Sequence, residues 1–245
     1  LPDLESIPAD IVQKAKLLVI NYPNSPTGRL ATGDFFAEVV EFARTNEIVV
    51  IQDAAHVLLT FDGPPRSFLE TPGAREVGVE IHSLSKGYDM IGWRIGWVCG
   101  NRTIVQAFSD VKDNSDSGQF IAIQKAAAAA LDDESIPGRI RAKYERRLEK
   151  LVAMLGSLGF QCKMPGGSYF LYMRAPGGVE GGPSFESAEA ASQYLITEHG
   201  IVTVPWDDAG SYLRFSVTYV ADDEDAEDRL MEETASRLAG IRFHF

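Results

Sequence analysis

Cysteine is scarce in this sequence: Cys99 and Cys162 are the only two among 245 residues. Two distant thiols build neither a disulfide framework nor a Cys-rich metal site. The expectation is a reducing, cytoplasmic setting with both thiols buried. Positive charge is also short, with 23 Lys and Arg against 35 Asp and Glu, a formal net charge of −12. Phosphate-backbone binding relies on clustered cations, so no nucleic-acid partner is expected. No apolar run approaches the length of a bilayer span, and the opening "LPDLESIPAD" has neither a basic nor an apolar segment. Neither a secretory signal nor a membrane partner follows. What is present is ordinary for a globular chain, 45% hydrophobic and 24% charged, enough for one large domain with a smaller lobe. Much of the acidity sits in "DDEDAED", Asp222 to Asp228, which reads as a solvated helix start.

The apolar pattern divides the chain in two. Leu17–Ile20 and Ile48–Ile51 are short apolar runs, expected as buried strands, the first close to the chain start. Thr32 is placed to cap a helix carrying Phe35, Phe36, Val39, Val40 and Ala43 at helical spacing. Strands are also expected at Val79–His82 and Ile95–Cys99, with an irregular turn around Ser85-Lys86-Gly87 between them. Continuous apolar strands with intervening helices argue for an α/β fold built on a mostly parallel sheet. After Gln119 come "FIAIQKAAAAAL" and the long amphipathic "GRIRAKYERRLEKLVAMLGSLG", both helix formers. A small α+β lobe follows. It has strands near Ser168–Met173, Ile201–Val204 and Tyr212–Val217, a helix over Ser187–Glu198 and a closing helix. "APGGVEGGPS" reads as a connecting loop, since its glycines match no phosphate-loop spacing. The domain boundary is expected near residue 132, giving domains 1–132 and 133–245.

Ligands of open α/β sheets gather beyond the carboxyl ends of the strands. Asn24 and Ser25 follow the first strand, Asp53 ends the second, Ser83, Ser85 and Lys86 follow the third, and Arg94 returns to the same region. A carboxylate, a lysine, hydroxyls and an arginine at one edge suit an anionic, nitrogen-containing ligand. Singly, each has a plainer explanation: a solvated turn lysine, a capping aspartate, a surface arginine. As an ordered set they point to chemistry.

The ordered motifs "PNSPTG", "DAAH", "SLSK" with Arg94 in "GWRIG", and "YLRFSV" resemble the class I/II, fold-type I pyridoxal-phosphate aminotransferases. "FDG", "PGAREVG" and "SDSG" are most similar to the LL-diaminopimelate aminotransferase branch. The resemblance implies pyridoxal 5'-phosphate as cofactor, an electron sink for a substrate amine. It implies Lys86 as the Schiff-base lysine and general base, and Asp53 as partner of the pyridine nitrogen. Ser83 and Arg94 match phosphate ligands, with Ser85 beside them, and Arg214 matches the arginine that grips the substrate α-carboxylate. Amino-acid and 2-oxo-acid substrates and a homodimeric full-length enzyme are implied as well.

Two positions depart from the family pattern. The residue before Pro-Thr-Gly is Ser25 instead of Asn, with Asn24 one place earlier, and His56 stands where the family has Tyr. Both can donate a hydrogen bond to the cofactor's phenolic oxygen. They also leave open a different fold-type I activity: a lyase, cyclase or decarboxylase. A non-catalytic effector-binding domain on this fold is a further alternative. The sequence does not begin with Met, and the family carries a long segment before the first strand, so the expectation is a fragment of a longer protein.

Overall fold

The computed structural model describes residues 1–116 and 118–245. The chain forms two compact units. One holds Leu1–Ser25 and Arg29–Arg141, the other Pro26–Gly28 and Ala142–Phe245.

The first unit begins with helical turns, including α1 (Ala9–Lys14), so the chain does not open directly on a strand. β1 (Leu17–Asn21) leads to α2 (Gly33–Asn46), whose N-terminus is capped by the Thr32 hydroxyl accepting from the Phe35 amide. β2 (Val49–Asp53) follows, then α3 (Ala74–Val77), β3 (Gly78–Ser83), the single helical turn α4 (Leu84–Gly87) and β4 (Gly96–Gly100). α5 (Arg102–Ser115), capped by Asn101, and α6 (Ile121–Leu131) complete it. The sheet order is β1-β2-β3-β4, parallel except for the antiparallel β4.

The apolar stripe of α2 explains one side of this sheet. Phe35, Phe36, Val39, Val40 and Ala43 pack with Ile20, Tyr22, Val50 and Phe68 in one buried cluster. The other side is covered only in part: Val79 is buried there but several neighbours are not, which corrects the expectation of strands buried on both faces. Leu17 is 58% and Val19 64% exposed, and Ile81 is exposed as well, because no described residue covers them. The irregular turn expected around Lys86 is the helical turn α4 instead, started by the Ser83 hydroxyl accepting from the Ser85 amide.

α7 (Ser135–Ser157) runs on into the second unit, which contains β5 (Phe170–Arg174), β6 (Gly178–Val179), α8 (Ala188–His199), β7 (Val204–Trp206), β8 (Tyr212–Ser216), α9 (Glu224–Leu238) and β9 (Phe243–His244). An antiparallel sheet has the order β5-β8-β7. "APGGVEGGPS" is more than a connector, since its Gly178 and Val179 pair with the chain's end. The strand expected at Ile201–Val204 starts at Val204. The acidic run caps α9 through Asp223, as expected, but it is not wholly solvated: Glu227 is buried among Arg146, Arg147 and Lys150. Cys99 and Cys162 are free and half-buried, not buried.

Candidate active site

Strand alternation brings three polar side chains to one face. In register, Asn21 stands beside Asp53 and Asp53 beside Ile81, so Ser83, two residues on, shares their side of the sheet. Asn21, Asp53 and Ser83 are thus the carboxyl-terminal residues of three adjacent parallel strands, on the face that α2 leaves open. Parallel strands end together at one edge, where ligands of such sheets bind.

Each terminus is held by its own bonds. Asn21 donates through Nδ2 to the Asp53 carbonyl at 3.0 Å and accepts from the Ser25 amide at 2.7 Å. Sequence reasoning missed Asn21; its signal was a polar residue closing an apolar run in the same way as Asp53. Asn24 donates to the Asn21 carbonyl at 3.4 Å, so Asn24 and Ser25 are both tied to the first strand's end. Asp53 Oδ1 accepts from the Ala55 amide at 3.0 Å. Asp53 is half-buried, and no described cation forms an ion pair with it. Ser83 Oγ accepts from the Ser85 amide at 3.1 Å and donates to the Ile95 carbonyl at 3.4 Å. Ser85 itself is buried, its backbone amide serving α4.

Lys86 is half-buried on α4, whose floor is apolar: Leu84 and Tyr88 cluster with Ala127 of α6. The turn sits tightly on the 3₁₀ turn Val57–Leu59, since a Cβ at Gly87 would lie 2.7 Å from Leu58. That 3₁₀ turn is preceded by His56, which is buried. Burial, and then the nearby charge of Lys86, push the His56 imidazole down to about 4, so it is neutral near pH 7. A neutral imidazole can donate one hydrogen bond without bringing a second positive charge to the lysine. Arg94 is exposed, with backbone φ of 52°, and donates through Nη1 to the Ile91 carbonyl at 3.1 Å.

The first unit therefore gathers Asn24, Ser25, Asp53, His56, Ser83, Ser85 and Lys86 around the carboxyl edge, with Arg94 on the return to β4. Arg214 lies in the second unit, on β8. It makes no ion pair among the described residues, its Nε is buried without an acceptor, and its guanidinium lies 4.1 Å over the Phe170 ring. An arginine so placed is suited to an anionic ligand. "SDSG" includes Ser117, which lies outside the described residues.

Another cluster lies on the opposite face of the first sheet. Glu80, His82 and Cys99 bring their polar atoms within 4.8 Å of one another. The Glu80 carboxylate accepts from Ser67 Oγ and the Phe68 amide and meets His82 Nε2 at 2.9 Å. These bonds cap the 3₁₀ turn Phe68–Glu70, a structural task.

The model of the family "Aminotransferase class I and II" matches residues 2–230. The LL-diaminopimelate aminotransferase of Methanocaldococcus jannaschii is 52% identical over 253 residues, covering 100% of this chain and 60% of that protein. That of Methanococcus maripaludis is 50% identical, with 100% of this chain and 60% of the relative covered. Among solved structures, substrate-bound BacF from Bacillus subtilis matches with a TM-score of 0.88 at 32% identity, over 100% of this chain and 61% of that one. The chain thus spans about 60% of the length of the curated relatives it matches.

Proposed function

The chain belongs to the class I and II aminotransferases, and we propose that it is part of a longer enzyme that moves an amino group between an amino acid and a 2-oxo acid. LL-diaminopimelate with 2-oxoglutarate as acceptor is the proposed pair, supported by two relatives of that name at 52% and 50% identity. Residues 1–132 are read as the later part of the cofactor-binding domain and 133–245 as the small domain. A homodimer of the longer, cytoplasmic enzyme belongs to the same proposal.

The observation that carries the reading is Asn21, Asp53 and Ser83 closing three adjacent parallel strands on one face, with Lys86 one turn beyond. The family's cofactor is pyridoxal phosphate, and the donor set fits it: a half-buried carboxylate with no cation partner among the described residues, a neutral buried histidine, a lysine and hydroxyls. When bound, pyridoxal phosphate supplies an electron sink that makes the α-proton of an amino acid acidic. Lys86 would hold the cofactor until the substrate amine displaces it, and its freed amine would then take up the substrate α-proton. Asp53 would place its negative charge against the cofactor's ring nitrogen. Asn24, Ser25 and His56 would offer hydrogen bonds to its phenolic oxygen. Ser83, Ser85 and Arg94 would hold its phosphate, and Arg214 would bind the substrate α-carboxylate through a guanidinium fork.

Ser25 and His56, at the two positions where the family differs, favour a second reading as another fold-type I activity. A single-turnover half-reaction separates the two. The longer protein, loaded with cofactor and mixed with glutamate, is expected to release one 2-oxoglutarate per site and to retain the amino group as pyridoxamine phosphate. Loss of carbon dioxide or of a side-chain fragment instead would mark the second reading as correct.

A further inference from the structure

The unused donor on Arg214 has a companion on the same sheet face. β8 runs between β5 and β7, with Tyr172 directly across from Arg214 and Trp206 directly across from Tyr212. Alternation then puts Tyr172, Trp206, Tyr212 and Arg214 on one side, with Trp206 the diagonal neighbour of Arg214. Long side chains in that relation reach each other's surroundings. The rings interlock: Tyr172 stacks on Tyr212 with centroids 4.7 Å apart and planes 15° from parallel. It meets Trp206 edge-on at 6.2 Å and 85°. Trp206 Nε1 is buried and has no hydrogen-bond partner, as is true of Arg214 Nε. Native proteins pair nearly all such groups. Two orphaned N–H donors on one face of one small sheet point to an acceptor that both would share.

We propose that Trp206 is a substrate-binding residue, its indole N–H donating to the carboxylate held by Arg214, above a floor of Tyr172 and Tyr212. The proposal rests on Arg214 being the carboxylate site. A carboxylate offers about four lone-pair positions on two oxygens, more than one guanidinium fork fills. An indole N–H is a donor only, so it accepts nothing from an amine and keeps its role at every working pH. Amino acid and 2-oxo acid both carry this carboxylate, so both should feel the contact equally.

The test uses the longer holoenzyme. Trp206→Phe keeps an aromatic ring in the cluster and deletes the donor. KM for glutamate and for 2-oxoglutarate should both rise about tenfold, the scale of a hydrogen bond to a charged group, with kcat nearly unchanged. Trp206→His, which retains a ring N–H, should recover part of that loss. Arg214→Lys should cost less in the Trp206→Phe background than alone, because the two residues share one ligand group. An unchanged KM in Trp206→Phe, with Arg214→Lys still harmful, overturns the inference and leaves the Arg214 reading standing. A Trp206→His as impaired as Trp206→Phe marks a packing role and also overturns it. An unchanged KM in Arg214→Lys defeats the underlying reading itself.

Discussion

Asp53 shows how much a single residue's surroundings decide. The Ala55 amide fixes Oδ1, which orients the carboxylate and leaves Oδ2 for a ligand. Asp53→Asn can keep the first bond through its amide oxygen, so the fold should survive while the charge is lost. A charge that counts chiefly when electron density moves into the cofactor is felt in the transition state more than in binding. In the longer enzyme, kcat should fall about 100-fold with KM within a few-fold, read from steady-state kinetics. Near-normal turnover would reduce Asp53 to a strand-end cap. Asp53, Ser83 and Lys86 were legible in the sequence because each interrupts or ends an apolar run. Asn21 was not, since an asparagine at a strand end is an ordinary turn former. The relation of Trp206 to Arg214 was hidden too, because it exists only through the pairing of β7 with β8.

At the level of elements, α7 and α9 are joined by one buried carboxylate. Glu227, 2% exposed, accepts from Arg147 Nε at 2.7 Å and from Arg146 Nε and Nη2 at 3.0 Å, with Lys150 at 3.4 Å. Arg147 in turn donates to the Val217 and Tyr219 carbonyls. Burial alone would raise the Glu227 carboxyl, but the hydrogen bonds from Arg146 and Arg147 outweigh it and hold the group at about 2. Because the folded value lies below the ordinary 4.5, the unfolded chain binds the proton first as pH falls. The contribution is complete above about pH 5 and fades towards pH 2, amounting to roughly 3 kcal/mol. Glu227→Gln should cost about 3 kcal/mol at pH 7, seen as a lower urea midpoint for the longer protein. It should also flatten the acid limb of its stability curve. A midpoint equal to wild type would show the network to be neutral. Helices with capping hydroxyls, at Thr32 and Ser187, were readable from sequence. α5 went unread although Ile104, Phe108 and Val111 recur at helical spacing; the structure leaves Phe108 and Val111 of that stripe exposed. The acidic run looked uniformly solvated because nothing in its composition distinguishes Glu227 from its neighbours.

For the whole molecule, the α/β class and the parallel order of the first three strands followed from their apolar runs. The burial of β1 did not follow. Its residues are those of a central strand, yet it is an edge, with Leu17 and Val19 uncovered. An unpaired strand edge beside exposed branched side chains invites pairing with other chains. The 245-residue polypeptide expressed alone should therefore elute as aggregates in size-exclusion chromatography and show negligible amino transfer. The longer protein, assayed at matched concentration, should be dispersed and active. Comparable turnover from the short chain would mean that a complete site lies within these residues.

The antiparallel return of β4 has a consequence for mobility as well as for shape. Ser83 and Gly96 are paired partners, and the Leu84 amide bonds to the Ile95 carbonyl, so the segment carrying Lys86 is a ring closed at its neck. At the far end of the same ladder a Cβ on Gly100 would come within 2.6 Å of the Gly78 carbonyl, so the two strands are seated closely there too. To release its neck, the β3–β4 ladder must part. The backbone on either side of Lys86 is thereby anchored in a paired sheet, and displacing those anchors requires opening a ladder, an event of higher free energy than the movement of a free terminus.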